Sequence, residues 1–145
     1  MQPDYEIKPG RGIGNILFGT EREELFEMLG DPDEIEIPEE TEKLNWESYR
    51  YNSIHCAFTF DPDQEDTLVE ISVENVSFHI AHKILVGTCK EDLLAMAAEL
   101  NLGKYIPEDR SDAEFPDREW ISFPSAGLKL CMDEGLISLI QISVL

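Results

Sequence analysis

Basic residues are scarce in this sequence. Lys and Arg together number 11 against 31 Asp and Glu, which gives a formal charge of -20. A surface of this sign repels nucleic acid phosphates, so functions in DNA or RNA binding are disfavoured. The same charge would attract a basic partner and speed its encounter with the chain. The alternative explanation is that the acidity gives a solvated surface that resists aggregation.

Cysteines are few and apolar runs are short. Cys56, Cys89 and Cys131 are widely spaced, and no Cys-x-x-Cys pair suggests zinc or redox chemistry. No apolar run approaches the length of a membrane span. The first residues, Met1–Glu6, lack the basic start and apolar run of a secretory signal. We therefore expect a reduced, cytoplasmic protein with no membrane partner.

Catalytic and metal-binding motifs are also missing. The sequence has no Gly-x-Ser-x-Gly, Walker or zinc-hydrolase motif. His79 and His82 stand three apart, but no third ligand follows at metal spacing. Cys89 lies beside Lys90 in the first turn of a predicted helix, a place that can lower a thiol pKa, yet no base stands near it in sequence. We therefore predict no catalytic residue, no metal and no cofactor.

The chain contains an internal repeat, in which one sequence unit occurs twice. Ile16–Leu29 returns as Ile84–Ala97, and both segments read apolar strand end, Gly, Thr and a helix with Thr-x-x-Glu. In such a motif the hydroxyls of Thr20 and Thr88 would accept from a helix amide and cap the helix. Further blocks recur in the same order: Ile37–Glu40 as Ile106–Asp109, Trp46–Tyr49 as Trp120–Phe123, and Val69–Val73 as Ile140–Val144. The offset between copies runs from 68 residues at the glycines to 74 at the tryptophans and 71 at the last strands.

Periodicity places the elements of each copy. Helices are predicted at about 21–29 and 89–100, and strands at about 46–51, 54–60, 67–73, 119–123, 128–132 and 136–144. Strict alternation of apolar and polar residues favours an antiparallel sheet with one buried face. We predict an α+β protein of two tandem α-β-β-β repeats, residues 1–75 and 76–145, in one compact unit. Its antiparallel sheet would have both helices packed on one face.

The repeated pattern also carries a family resemblance. The residues concerned are Phe18–Thr20, Leu25, Leu29–Pro32, Trp46, Tyr49, Phe58–Asp61 and Val69–Val73, with Gly87–Thr88, Leu93, Trp120, Phe123 and Ile140–Val144 in the second copy. On these residues the chain resembles the small bacterial lipoproteins of outer-membrane assembly (the SmpA/OmlA type). It is also similar to the tandem-repeat family of the β-lactamase inhibitory protein. The resemblance implies an antiparallel sheet with helices on one face, and a function in protein binding.

The duplication separates candidate site residues from residues that the fold needs. Residues present in both copies are expected to serve the fold, so candidates lie among those that have no counterpart. The acidic loops Asp61–Asp66 and Asp109–Glu119 have none, and neither has Tyr51. The first loop superficially resembles a calcium loop, but it lacks the glycine at its sixth position. The predicted partner-binding residues are Tyr51, Asp61, Asp63, Glu65 and Asp66, with Tyr51 as an aromatic anchor.

These observations predict a non-enzymatic protein that binds another, basic protein. The sharper version is an inhibitor or immunity-type protein that neutralises a basic toxin or enzyme by covering its active site. Two alternatives stay open at this point. One is a regulatory or structural interaction module, and the other is a small-ligand or enzymatic role in the cleft between the repeats.

Overall fold

The computed structural model describes residues 6–37, 46–74, 78–80, 83–108 and 118–144, which form mostly β-strands. The first half contains β1 (Ile7–Lys8), β2 (Gly12–Ile13), β3 (Ile16–Leu17), α1 (Arg22–Leu29), β4 (Glu34–Glu36), β5 (Glu47–Tyr51), β6 (Cys56–Asp61) and β7 (Thr67–Val73). The second half contains β8 (His79–Ile80), β9 (Lys83–Ile84), α2 (Lys90–Glu99), β10 (Ile106–Glu108), β11 (Arg118–Phe123), β12 (Leu128–Asp133) and β13 (Leu136–Ser143). The predicted helices and the six predicted strands are confirmed to within one or two residues at most ends.

One eight-stranded antiparallel sheet joins the two halves. Its strands follow the order β10-β11-β12-β13-β7-β6-β5-β4, so β4 and β10 are the outer strands of the sheet as described. At the centre, β13 pairs with β7, and Gln141 lies opposite Ser72. In the pairs on either side, Ile140 lies opposite Val73 and Ile142 lies opposite Ile71. Ile71 corresponds to Ile140 and Val73 corresponds to Ile142, so each pair turns into the other when the two strands are interchanged. The halves are therefore related by a pseudo-two-fold axis that passes through the Ser72–Gln141 pair.

The predicted fold class, α+β with two tandem α-β-β-β repeats and helices packed on one face of the sheet, is wrong. The described residues are mostly β, with two helices of only eight and ten residues. Each half contributes four strands to the large sheet, because the segments after the helices form β4 and β10. Both segments are three residues long and contain Glu or Pro, which are depleted in strands, so propensity gave no strand signal there. The edges of β5 and β11 pair with these segments, and this pairing makes them strands despite their low strand propensity.

Short strand pairs outside the large sheet add to this correction. β1, β2 and β3 form a small antiparallel sheet before α1, and β8 pairs with β9 before α2. An isolated parallel bridge joins Glu6 to His79, so the starts of the two halves lie side by side. Two-residue strands carry too little periodicity to be recognised from the sequence.

The Gly-Thr segments occupy equivalent places in the two halves. The Gly19 N–H donates to the Leu68 carbonyl (3.1 Å), and the Leu68 N–H donates to the Thr20 carbonyl (2.9 Å). The second half repeats both bonds, at 2.7 and 2.9 Å, with Gly87, Ile137 and Thr88. Gly19 and Gly87 share a positive φ, 94° and 90°, which favours glycine at this turn. Each Gly-Thr segment thus pairs with the first residues of the last strand in its own half.

The strand register corrects the alignment of the later blocks. Tyr49 lies opposite Phe58, and Ile121 lies opposite Leu130 in the corresponding strand pair. Tyr49 therefore corresponds to Ile121, and the expected equivalence of Trp46 with Trp120 is wrong by two residues. The last strands are offset by 69 residues rather than 71, because Leu68 and Ile137 make the same bonds. Sequence similarity misled here because both copies contain a Trp with an aromatic residue three positions on.

The hydrophobic core joins residues of both helices to residues of the large sheet. Each half contributes one fully buried helix leucine, Leu25 or Leu93, to the core cluster. The predicted inward face of β6 is confirmed: Ile54, Cys56, Phe58 and Phe60 are all buried. Ala57 and Thr59, which point to the other face of this strand, are also buried, and the Thr59 hydroxyl is hydrogen-bonded to that of Ser48 at 3.1 Å. The remaining core residues include Tyr49, Tyr51, Ile71, Val73, Ile121, Phe123, Leu128, Leu130, Ile140 and Ile142.

The predicted capping role of the two threonines is wrong. The N-cap residues are Glu21 and Cys89, and neither makes a side-chain capping bond. The Thr20 hydroxyl instead donates backward to the Leu17 carbonyl at 2.6 Å, and Thr88 does the same to Ile84 at 3.0 Å. Each hydroxyl therefore closes the turn before its helix, and it acts as a donor rather than as an acceptor.

This geometry predicts how Thr20 variants should behave. Thr20→Ser keeps a donor for the Leu17 carbonyl, whereas Thr20→Asp removes it and sets a carboxylate against that oxygen. We expect Thr20→Asp to have a free energy of unfolding about 1 kcal/mol below that of Thr20→Ser, measured by urea denaturation. A capping side chain at this position would instead give about equal stabilities, because aspartate and serine cap helices about equally well. Equal stabilities of the two variants would contradict the donor role.

Candidate functional site

The hairpin loop between β6 and β7 lies beside the first turn of α1. Asp66 in this loop accepts a hydrogen bond from the Arg22 guanidinium at 3.2 Å. Between the loop and the helix is an open groove of about 300 Å³. The residues that line this acidic groove are Glu21, Arg22, Glu23, Glu65 and Asp66. Two predicted partner-binding residues are thus brought together with two helix carboxylates that sequence reasoning missed.

The loop keeps its shape through bonds within itself. Asp61 at the end of β6 is buried, and its carboxylate accepts from the Asp63 N–H at 2.8 Å. Glu65 and Asp66 both have positive φ, 60° and 55°, which turns the chain back into β7. The Thr67 hydroxyl donates to the Gln64 carbonyl at 2.6 Å and closes the turn. Of the four predicted loop residues, Asp61 is therefore a turn former, while the other three expose their carboxylates.

The loop is an insertion relative to the second half. There, Asp133 ends β12 and Leu136 begins β13, so Glu134 and Gly135 make the whole connection. Both of these residues have positive φ, as Glu65 and Asp66 do. The extra residues of the first half are Pro62–Gln64, which form a single 3-10 turn. The fold can therefore connect these strands without the insertion.

Arg22 is the one cation among the groove residues, and it is already engaged. Its guanidinium lies 3.5 Å from the Glu47 carboxylate and 3.2 Å from Asp66, and it stacks over the Tyr49 ring at 5.3 Å. The second half repeats the first of these ion pairs, with Lys90 Nζ and Glu119 Oε1 2.8 Å apart. The pair of Arg22 with Glu47 therefore belongs to the duplicated fold. The contact with Asp66 is specific to the first half, because Gly135 stands at the matching position of the second half.

The charge balance of the groove is negative. Glu21, Glu23, Glu65 and Asp66 contribute four carboxylates against one guanidinium. Beneath the guanidinium, the Tyr49 hydroxyl donates to the Glu47 carboxylate. Burial, together with that hydrogen bond, raises the pKa of Tyr49 well above its ordinary range, and the nearby Arg22 opposes this shift. Tyr49 therefore stays protonated at neutral pH and holds Glu47 in place below the groove.

Tyr51, the predicted anchor, lies in the core. Only 4% of its surface is exposed, and its hydroxyl donates to the Gly30 carbonyl at 2.8 Å. The corrected alignment makes Phe123 its counterpart, and that ring is completely buried. The sequence filter selected Tyr51 only because the alignment was two residues out of register. Its ring fastens the end of α1 to β5 and contributes nothing to the acidic groove.

None of the other sequence candidates in the described part of the chain lines the groove. His55 occupies a turn with positive φ (51°), where the second half has Gly127. Cys89 is half-buried ahead of α2, and all three cysteines are free. His82 and residues 109–117 of the second acidic loop lie outside the described part of the chain. Within that part, no group of three or more His, Cys, Asp or Glu side chains is placed to hold a metal ion.

Comparison with known proteins gives information about the fold only. No family model matches the chain, and no curated protein matches it. Among solved structures, an extracellular protein containing an SCP domain from Bacillus anthracis str. Ames is similar over 90% of this chain, with a TM-score of 0.54 and 16% identity. The chain spans only 44% of that protein's length. None of the described helices has the length and apolar character needed to cross a membrane.

The buried position of Tyr51 predicts a pH dependence of stability. Burial, with the charges of Asp31 and Asp33, raises the pKa of Tyr51 from 10.0 to about 12. Between these values the unfolded chain loses the proton first, so the free energy of unfolding should fall as pH rises. Below pH 10.0 both states are protonated and this contribution is constant.

The test compares the wild-type protein with Tyr51→Phe, which cannot ionise at this position. Urea denaturation at pH 9, 10 and 11 gives the slope of stability against pH. The wild type should lose up to about 1.4 kcal/mol more per pH unit above pH 10 than the variant does. Parallel slopes for the two proteins would show that the Tyr51 hydroxyl ionises equally in both states and is not buried.

Proposed function

We propose that the protein is a non-enzymatic protein-binding module whose acidic groove receives a basic segment of a partner protein. The observation that carries this proposal is the three-residue insertion Pro62–Gln64, which is present in one half only. The insertion supports Glu65 and Asp66 beside the first turn of α1. Because the second half connects the same strands without the insertion and has Gly135 where the first half has Asp66, the fold itself does not explain the carboxylate of Asp66.

The chemistry of the groove supports a protein partner more than a small ligand. Small-molecule sites are mostly apolar with a few polar groups, whereas every side chain of this groove is charged. Asp66 already binds Arg22, so a Lys or Arg of a partner could exchange with that guanidinium. Glu21, Glu23 and Glu65 would supply the surrounding negative field. A basic loop or tail of another protein has the charge and reach that this arrangement requires.

The small strength of exposed ion pairs limits the binding affinity that the groove can contribute. Exposed ion pairs are each worth only about 0–1 kcal/mol, so the carboxylates would not supply high affinity alone. Charges of this kind act mainly on the rate of association and on the choice of partner. The net charge of -20 extends the attraction beyond the groove. An inhibitor or immunity-type function is the sharper form of the proposal, because such proteins need rapid capture of one target. A regulatory or structural interaction module is the alternative.

A matched pair of double variants tests the groove. Glu65→Gln with Asp66→Asn removes two charges from the groove, and Glu91→Gln with Asp92→Asn removes two from the corresponding first turn of α2. A partner is first isolated by crosslinking and pull-down, and its association is then followed by stopped flow. We expect the groove variant to associate several-fold more slowly and the α2 variant to differ little from wild type. The difference should disappear near 1 M salt, where the screening length is about 3 Å.

Two results would overturn the proposal. Equal slowing by both double variants would assign the effect to net charge rather than to the groove. Association rates that respond neither to salt nor to either variant would reduce the acidity to a contribution to solubility.

A further inference from the structure

The two outer strands of the large sheet occupy equivalent positions but differ at their central residue. In β4 this residue is Ile35, which lies opposite Tyr49 of β5. In β10 it is Pro107, which lies opposite Ile121 of β11. Tyr49 and Ile121 correspond to each other by strand register, so Ile35 and Pro107 stand at the same point of the pseudo-symmetric sheet.

Pro107 fixes the direction of the backbone at this point. A proline nitrogen carries no hydrogen, so Pro107 can face Ile121 only at a non-hydrogen-bonded position of the antiparallel ladder. At such a position the backbone nitrogen and carbonyl point away from the neighbouring strand. Pro107 therefore removes the donor at the middle of the outer edge of β10. By the same geometry, the Ile35 N–H and C=O both point outward from the edge of β4.

The side chains around Ile35 define what could pair with this edge. Glu34 and Glu36 lie opposite Arg50 and Ser48 of β5, so both carboxylates point to the same face of the sheet. Ile35 points to the other face and is 62% exposed, and Ile37, which follows the strand, is 71% exposed. Exposed apolar patches mark interaction sites, and an exposed sheet edge can accept an extended peptide as an added strand. The edge thus presents an alternation of acidic and apolar side chains, and among the described residues no strand pairs with its outer backbone groups.

We propose that the outer edge of β4 binds an extended basic segment of a partner protein as a ninth strand. Lys or Arg beside Glu34 and Glu36, with an aliphatic residue beside Ile35, would give opposite charges and apolar pairs across the new ladder. The backbone of that segment would bond to the Ile35 N–H and C=O. This surface is separate from the acidic groove, so the inference stands whether or not the groove binds a partner.

A second copy of the chain fits this edge poorly. Antiparallel pairing of β4 with β4 of another copy, centred on Ile35, would set Glu34 opposite Glu36 twice. Like charges directly opposite each other destabilise a strand pair. Pairing of β4 with β10 of another copy would meet Pro107, which offers no donor at the centre of its edge. Charge complementarity therefore favours a basic partner strand over self-association.

The test uses a synthetic peptide of sequence Lys-Val-Lys-Val-Lys and the full-length protein labelled with ¹⁵N. Titration followed by amide chemical shifts should move the signals of Ile35 and Ile37 in a saturable way. Ile35→Pro copies the residue found at the equivalent point of β10, so the ladder with β5 keeps its bonds. This variant should bind the peptide at least about fivefold more weakly, because one backbone donor is lost. Ile35→Thr keeps the donor and should bind within about twofold of wild type.

Peptide controls make the result independent of variant folding. A peptide with N-methyl groups on both valines has the same charge but fewer donors, and we expect it to bind wild type at least about fivefold more weakly. A Glu-Val-Glu-Val-Glu peptide should not bind. Equal affinity of the plain and N-methylated peptides, or shifts confined to Glu21, Glu23 and Glu65, would overturn the proposal, since charge alone would then explain binding. Neither result depends on Glu65→Gln with Asp66→Asn, which tests the groove separately.

Discussion

The antiparallel pairing of β7 with β13 is the constraint on which the rest of the structure depends. It covers only four residues of each strand, Glu70–Val73 and Ile140–Ser143. Beyond this overlap, each strand pairs with the Gly-Thr segment of its own half. Those bonds place the start of α1 at the start of β7, beside the hairpin loop that precedes it. The acidic groove therefore depends on bonds between segments that are far apart in the sequence, and it could not form in an isolated helix or hairpin.

Local elements could be predicted from the sequence, whereas the sheet edges and the register could not. Alternation and helix periodicity placed α1, α2 and the longer strands, because those signals are set by which residues face the core. β4 and β10 were missed because Glu and Pro have poor strand propensity, and the open edge of a neighbouring strand overrides it. The tryptophans misled the alignment because register is decided by backbone pairing and not by residue identity. The bulges at Thr59/Phe60 and Cys131/Met132 stand at equivalent positions and leave this correspondence unchanged.

Only the loop of the candidate site could be predicted from the sequence, because the contact of this loop with α1 depends on backbone pairing. The duplication identified the loop Asp61–Asp66 as an addition, and the three exposed carboxylates lie where a partner can reach them. Glu21 and Glu23 were missed because their closeness to the loop arises from the bond of Leu68 to Thr20, residues far apart in sequence. Tyr51 was selected in error, since the strand register makes the buried Phe123 its counterpart in the second half. A repeat aligned by hydrogen bonding rather than by residue type would have removed Tyr51.

The two halves have diverged in a complementary way. The first half holds the acidic insertion and the open edge at Ile35, while the second holds a short turn and the closed edge at Pro107. Two open edges on one sheet would let copies add head to tail, because such a contact repeats without closing and gives filaments. A single proline on one edge is enough to stop this head-to-tail addition, since every added copy would need both of its edges. The open edge of β4 can then be kept for a partner strand without exposing the protein to polymerisation through its own sheet.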